Sequence, residues 1–119
     1  MNFAALSGDW YPLHTDLEFA KKTQFGERIA HGMLVLSLAS GLFSPEHLLN
    51  MAFIAFYGMD KVRFTTLTKI GDTLHLELEV VDKQSKDGHN GIVTWKEVVK
   101  NQRGEDAAVC TVKLLVAKH

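Results

Sequence analysis

The chain has 119 residues, of which 46% are hydrophobic and 23% are charged. This length and balance fit a single globular domain over residues 1–119 and exclude an intrinsically disordered chain. Thirteen basic and fourteen acidic residues leave a formal net charge of −1, so no global electrostatic attraction for nucleic acid or an anionic membrane is expected. Cys110 is the only cysteine, and the first residues lack the basic-then-apolar order of a secretory signal. We therefore expect a cytoplasmic protein without an intrachain disulfide.

The first stretch, residues 3–31, is polar and rich in turn-forming residues. Ser7-Gly8-Asp9 and Pro12 predict two breaks in regular structure. The run from Thr15 to Glu18 fits a capping box, in which the Thr15 hydroxyl accepts a hydrogen bond from a first-turn amide. A short helix is therefore expected to start there and to fade near Gly26.

The second stretch, residues 31–43, is apolar on nearly every side of a helix. A surface helix would show one apolar stripe, so this pattern predicts a long apolar helix surrounded by protein. The stretch is too short to cross a bilayer. The hydroxyls of Ser37 and Ser40 are expected to bond back to helix carbonyls. Beyond it, Ser44-Pro45-Glu46 predicts another helix start.

From about Phe53 onward the chain has the alternating pattern of strands. Three segments each place a row of apolar residues on one face: Leu74, Leu76, Leu78 and Val80; Val93, Trp95 and Val99; and Ala108, Cys110, Val112, Leu114 and Val116. Short turns at 88–91 and 101–104 favour antiparallel neighbours. Together these features predict an α+β fold in which an antiparallel sheet wraps one helix. The open sheet edges, and an otherwise poorly covered Trp95, favour a homodimer.

Asp9 and His14 are the most promising chemical pair in the sequence. They lie five positions apart across the bend that Pro12 imposes, which lets both groups reach one water molecule. The spacing also fits purely structural roles, in which Asp9 caps a turn and His14 packs or forms a hydrogen bond. Taken alone, the spacing favours these structural roles over a catalytic one. Asp16 adds a third possible metal ligand, but no matched set of histidines or cysteines follows, so we expect no metal.

Two sequence blocks carry a family resemblance. The first is Ser7-Gly8-Asp9 followed by Pro12-Leu13-His14, and the second is Ile29-x-His31-Gly32-Met33. They resemble the signature of the hot-dog-fold MaoC-like dehydratases, which include the R-specific enoyl-CoA hydratases. Lys61-Val62-Arg63-Phe64 and Gly71-Asp72-Thr73-Leu74 follow in the family's usual order, so the resemblance covers almost the whole chain. It implies the hot-dog fold, an antiparallel sheet wrapped around one long apolar helix.

The chain departs from the family pattern in two places. Tyr11 stands where the hydratase signature usually has asparagine. With tyrosine, a polar contact that would orient the site is lost or altered. We expect the Tyr11 side chain to form part of the wall of the acyl pocket instead. The sequence also begins almost at the signature, whereas relatives usually carry a preceding strand. We therefore expect a sheet that lacks the family's first strand, the alternative being a start codon assigned too late.

The resemblance implies a hydratase or dehydratase acting on enoyl or 3-hydroxyacyl thioesters. Coenzyme A would be part of the substrate, and no separate cofactor is expected. Asp9 and His14 would hold and polarise the water that attacks C3, and the Gly32 amide would meet the charge on the thioester oxygen. Ser40 matches a family serine near the site, although a satisfied core hydroxyl is an equal alternative. His31 is interpreted as structural support for the helix start.

Two other functions stay open at this level. A hot-dog thioesterase would direct water at the carbonyl carbon instead, and a non-catalytic acyl-CoA-binding module would do neither. The pairing of Asp9 with His14 favours hydration over thioester hydrolysis. Tyr11 and the expected absence of the first strand are compatible with a non-catalytic binding module. In the family, ligand clefts run along a homodimer interface, which implies two equivalent sites.

Overall fold

The computed structural model describes residues 1–43 and 53–117. The helices within residues 1–43 are α1 (Asn2–Ser7), α2 (Pro12–Thr15), α3 (Leu17–Lys21) and α4 (Gly32–Leu42). Four strands follow: β1 (Phe53–Arg63), β2 (His75–Ser85), β3 (Asn90–Lys100) and β4 (Asp106–Ala117). The expected α+β class with an antiparallel sheet is confirmed. The predicted helix start at Ser44-Pro45-Glu46 lies outside the described residues, and the missing first strand stays a prediction.

Three short helices form the N-terminal segment. Helix α1 ends at Gly8, whose φ of 81° is the left-handed conformation that glycine adopts without strain. Pro12 occupies the first turn of α2, where its missing N–H costs no hydrogen bond. The predicted capping box was wrong by one residue. Asp16, not Thr15, caps α3 through its side chain, because the Thr15 hydroxyl instead donates to carbonyls of the preceding turn.

Helix α4 has the predicted bounds but not the predicted surroundings. Val35 and Ala39 are buried against the sheet, whereas Met33 is 62% and Leu38 49% exposed. The helix therefore packs on one face only, and the expectation that protein surrounds it is wrong for the single chain. The Ser37 hydroxyl donates to the Met33 carbonyl, as expected. No helix within residues 1–43 or 53–117 is long and apolar enough to cross a membrane.

The sheet is antiparallel, with strand order β1-β4-β3-β2. Its centre is β4, whose predicted apolar row is buried throughout: Ala108, Cys110, Val112, Leu114 and Val116. The faces predicted for β2 and β3 are also correct, except that Val80, beside a register shift, is 41% exposed. Trp95 packs edge-on against Phe43 with ring centroids 5.4 Å apart, so the expectation that it is poorly covered was wrong.

Polar turn residues set the two predicted hairpins. Between β2 and β3, one oxygen of Asp87 accepts the amides of His89 and Asn90. Between β3 and β4, the buried Asn101 accepts the amides of Arg103 and Glu105 through its side-chain oxygen. These bonds satisfy backbone groups that the sheet ladder leaves unpaired at its ends.

Asp72 ties the loop after β1 to the β3–β4 turn. Its carboxylate accepts the Lys69 amide at 2.9 Å, the Gln102 side chain at 2.9 Å and the Arg103 guanidinium at 3.3 Å. These donors favour the charged form, and the Lys69 amide bond is the largest cause that holds the pKa of Asp72 at about 2, below its ordinary 3.8. The loop that borders the site described below is thus anchored electrostatically.

We expect Asp72→Asn to destabilise the fold most at neutral pH. Because the folded-state pKa of Asp72 lies below its ordinary value, the stabilisation is present above about pH 4 and is lost as the pH falls toward 2. Urea unfolding between about pH 7 and pH 3 checks this. The difference in the free energy of unfolding between the wild type and Asp72→Asn should become smaller toward pH 3. The control Asp82→Asn, at an exposed position, should show no such change. A constant gap would contradict the assignment.

Candidate active site

The backbone of Tyr11 joins the two predicted catalytic side chains. Its amide donates to Oδ1 of Asp9 at 3.1 Å, and its carbonyl accepts the His14 amide at 3.0 Å. The Ser7 hydroxyl accepts the Asp9 amide and so sets the chain direction out of α1. Since these bonds use the Tyr11 main chain, the pair is positioned whatever side chain stands there. No hydrogen bond from residues 1–43 or 53–117 reaches Oδ2 of Asp9, which leaves this oxygen to a water or a substrate.

His14 is oriented by a main-chain hydrogen bond. Its Nδ1–H donates to the Ile29 carbonyl at 2.8 Å, which assigns the proton to Nδ1 because a carbonyl only accepts. In the neutral imidazole, Nε2 then carries the lone pair. The bond also joins α2 to the segment that leads into α4. His14 therefore presents an accepting nitrogen on a ring that is held in place.

His31 is the residue that the sequence interpretation undervalued. It is buried, and its Nε2–H donates to the Asp9 carbonyl at 2.9 Å. Its ring stacks on His14 with centroids 4.1 Å apart and an interplanar angle of 24°, and Phe3 packs against its other side. His31 supports the helix start as expected, and it also contacts both members of the pair. The available signal was its place directly before Gly32.

One ligand atom each from Asp9, His14 and His31 lie within 4.8 Å of one another. A water bonded to two groups at about 2.8 Å spans roughly 4.6 Å between them, so this spacing suits a shared water. A tetrahedral metal would need lone pairs that converge on one point. The two imidazoles are nearly parallel, so their lone pairs lie in separate planes. The arrangement favours a water over a chelated ion, and the expectation of no metal stays a prediction.

Gly32 begins α4 beside this cluster. The intrahelical hydrogen bonds start at the Leu34 amide, so the amides of Gly32 and Met33 lie before the first intrahelical bond. A Cβ built on Gly32 would lie 3.0 to 3.2 Å from three atoms of the Phe64 ring. His14 and Gly32 both line a cavity of about 200 Å³ on that side. His14 and the first residue of α4 thus border one space.

The other two predicted site residues lie apart from this space. Ser40 is about 12 Å along α4 from Gly32 by helix rise, and it lines a different cavity, of about 580 Å³. The Tyr11 side chain is 54% exposed and packs edge-on against His14 and Phe19. It is not among the residues that line the three cavities described here. The roles of both residues stay predictions.

A larger cavity of about 780 Å³ opens on the other side of the two histidines. It runs along α4 past Leu34, Ser37 and Leu38, and Lys69 lies on its wall. A cavity of this size admits a substrate of metabolite dimensions. The fold and this cluster together define a class, that of hot-dog proteins with an Asp–His site at the entrance of the central helix.

The chain belongs to the MaoC-like domain family, whose model matches residues 1–102. Among curated relatives it is 41% identical over 86 residues to Protein MaoC of Klebsiella aerogenes, covering 72% of this chain and 25% of the relative. It is 42% identical over 78 residues to the (R)-specific enoyl-CoA hydratase of Aeromonas caviae, covering 66% of this chain and 56% of that enzyme. The chain thus spans between a quarter and about half of these relatives.

Solved structures agree with this assignment. A monoamine oxidase regulatory protein from Archaeoglobus fulgius superposes with a TM-score of 0.92 at 48% identity, covering 99% of this chain and 79% of that chain. The (R)-hydratase from A. caviae superposes with a TM-score of 0.80 at 31% identity, covering 97% and 83%. The chain is therefore similar over nearly its whole length to MaoC-like hot-dog proteins.

We expect Gly32→Ala to destabilise the protein by about 1 to 3 kcal/mol, because the new methyl group would overpack against the Phe64 ring. The backbone does not require glycine, since Gly32 is not among the glycines with positive φ. Urea unfolding in a double-mutant cycle with Phe64→Ala checks this. The cost of Gly32→Ala should largely vanish when Phe64 is alanine, and an equal cost in both backgrounds would refute the contact.

Proposed function

We propose that this chain catalyses the reversible addition of water across the 2,3 double bond of enoyl thioesters, acting as a carbon–oxygen lyase on acyl-CoA. The observation that carries the proposal is the position of His14, which has a ligand atom within 4.8 Å of one from Asp9 and lines a cavity of about 200 Å³ together with Gly32. Curated relatives named as an (R)-specific enoyl-CoA hydratase and a 3-hydroxybutyryl-CoA dehydratase support it. The proposal requires no cofactor apart from the coenzyme A moiety of the substrate.

The Asp9 and His14 pair would handle the protons. A water donates its hydrogens to Oδ2 of Asp9 and Nε2 of His14, and its oxygen attacks C3 of the enoyl group. The pair takes one proton from the water and returns one to C2, so it ends the cycle unchanged. Because the two groups share one water, the proposed base is the pair rather than either residue.

The start of α4 would stabilise the developing negative charge. As the bond to C3 forms, charge accumulates on the thioester oxygen, and the free Gly32 amide at the positive helix end is suited to receive it. Glycine at this position lets the substrate approach the backbone closely. Ser40, farther along α4, would contact the acyl portion, and Tyr11 would border the site from the outside.

Incubation with crotonyl-CoA distinguishes the three functions that the sequence leaves open. Loss of the conjugated double bond without free thiol indicates hydration, and release of free thiol indicates a thioesterase. Saturable binding with neither change indicates a binding module. We expect the first result, since Asp9 and His14 form a pair whose ligand atoms lie within 4.8 Å of each other, whereas a thioesterase would use a lone carboxylate.

We expect Asp9→Asn and His14→Ala each to lower kcat by about 10² to 10⁴-fold, the usual contribution of a positioned acid–base group. Neither side chain is in the buried core, so both variants should stay folded. Circular dichroism establishes folding, and initial rates on crotonyl-CoA give the loss. Asp16→Asn, on the neighbouring cap, is the matched control and should keep its activity. A folded Asp9→Asn protein with near-normal turnover would rule the mechanism out.

The proposed working unit is at least a homodimer. The single chain exposes 7541 Å², against about 6,450 Å² for a compact monomer of 13.3 kDa. Its radius of gyration is 16.8 Å, against about 13.5 Å for a compact chain of this length. Large apolar side chains on α4 and β1 account for part of this surface, among them Met33, Leu38 and Phe56. A second copy would cover them.

Sedimentation should therefore find a species of at least twice the 13.3 kDa chain mass, and activity should fall on dilution. Leu38→Glu is expected to shift the equilibrium toward monomer by placing a charge on the apolar face of α4, whereas Leu38→Met keeps that face apolar. Full activity of a species at monomer mass would overturn the proposed assembly.

A further inference from the structure

Glu97 is a buried acid on the inner face of β3. It lies between the inward-facing Trp95 and Val99 and is only 3% exposed. Burial raises the pKa of its carboxyl, because an apolar surrounding disfavours the charged form. The mechanism above does not use this residue. A carboxyl group at such a position is costly unless it has a partner.

The protein supplies little to satisfy Glu97. Its one hydrogen bond to a described residue comes from the thiol of Cys110, which donates to Oε2 at 3.5 Å. Burial raises the pKa of that thiol to about 12, so the sulfur keeps its proton and acts as a weak donor. No lysine or arginine within residues 1–43 and 53–117 forms an ion pair with Glu97. The carboxyl therefore has unused hydrogen-bonding capacity.

That capacity faces a cavity of about 580 Å³ between α4 and the sheet. Apolar side chains such as Phe43, Phe56 and Met59 form most of its wall. Among the described residues that line it, Glu97 is the only ionisable one, and the hydroxyls of Ser37 and Ser40 are the other side-chain polar groups. An apolar cavity with a few converging polar groups is typical of a site that selects its ligand.

The cavity adjoins the catalytic region along α4. Ser37 lines both this cavity and the larger one that contains His14 and His31. We propose that the cavity receives the distal part of the acyl chain and that Glu97 selects chains that carry a hydroxyl group there. This inference rests on the proposed function, since it names the class of acyl group that the same site takes.

A hydroxyl group is the best match to the carboxyl. It donates to an ionised carboxylate and accepts from a protonated one, so it pairs with Glu97 in either state. A plain alkyl chain would leave the buried carboxyl without a partner, which costs binding energy. A chain that ends in a carboxylate would be repelled by the ionised form of Glu97.

Three trans-2-enoyl-CoA substrates of equal length test the proposal: one with a plain alkyl end, one with a terminal hydroxyl and one with a terminal carboxylate. We expect kcat/KM of the wild type to favour the hydroxylated chain over the alkyl chain by about tenfold or more, the effect of leaving a buried polar group unpaired. Glu97→Leu should reverse that order, and Glu97→Gln should keep part of the preference. Glu79→Gln, on the exposed face of β2, is the matched control and should change nothing.

A binding measurement separates failure of this inference from failure of the proposed function. Calorimetry of the Asp9→Asn protein with saturated acyl-CoAs, with and without the terminal hydroxyl, needs no turnover. The inference is supported if the Asp9→Asn protein binds the hydroxylated chain more tightly and the double variant Asp9→Asn/Glu97→Leu does not. This holds even if no enoyl-CoA is hydrated. Equal affinity for both chains, unchanged by either Glu97→Gln or Glu97→Leu, overturns it even if crotonyl-CoA is hydrated. Failure to bind either chain also overturns it.

Discussion

Two hydrogen bonds from imidazole to main-chain carbonyl hold this site together. His14 donates to Ile29 at 2.8 Å, and His31 donates to Asp9 at 2.9 Å. The bonds run in opposite directions between the same two segments, the stretch from Asp9 to His14 and the approach to α4. Because each imidazole bonds to the other's segment and the two rings stack, neither segment moves without the other. The pair of bonds thus couples an exposed carboxylate to the start of the central helix.

Several other features depend on this connection. Helix α4 begins at Gly32, and the bond from His31 to Asp9 joins the turn after α1 to the residue directly before this helix start. The Asp72 network holds the loop that follows β1, in which Thr68 accepts the Ala30 amide at 2.8 Å. Asp9 and His14 are therefore both held by hydrogen bonds to the Tyr11 main chain, and the Tyr11 ring adds an edge-on contact with His14. This explains how tyrosine at position 11 is compatible with an ordered pair.

The single chain is incomplete as a packing unit. Helix α4 buries Val35 and Ala39 against the sheet and leaves apolar side chains on its opposite side exposed. The sequence pattern correctly described this helix as apolar all round, but the sheet of one chain covers only one face. The same helix lines both the cavity that contains His14 and His31 and the cavity that Glu97 faces, so the helix that needs a partner also borders both spaces.

The sequence by itself determined the class of fold, the bounds of α4, the faces of the strands and the identity of the paired Asp9 and His14. Helix and strand periodicities and the two motif blocks are local patterns, and local patterns are what a sequence displays directly. The predicted N-cap was wrong by one residue because threonine and aspartate are both good N-cap residues. The Thr15 hydroxyl donates to the carbonyl of the preceding turn, so Asp16 caps the helix instead.

Only the tertiary structure decided which residues distant in the sequence are neighbours in space. His31 belongs to the site because it bonds to Asp9 across 22 positions of sequence and stacks on His14, which is also distant in the sequence. Ser40 lies apart from the site because it is eight residues beyond Gly32 on α4 and lines another cavity. Glu97 occupied an inward position in an alternating strand, a signal present in the sequence. Which cavity it faces, and that Cys110 is its hydrogen-bond partner, depend on the register of β3 against β4 and on the packing of α4, which no local pattern specifies.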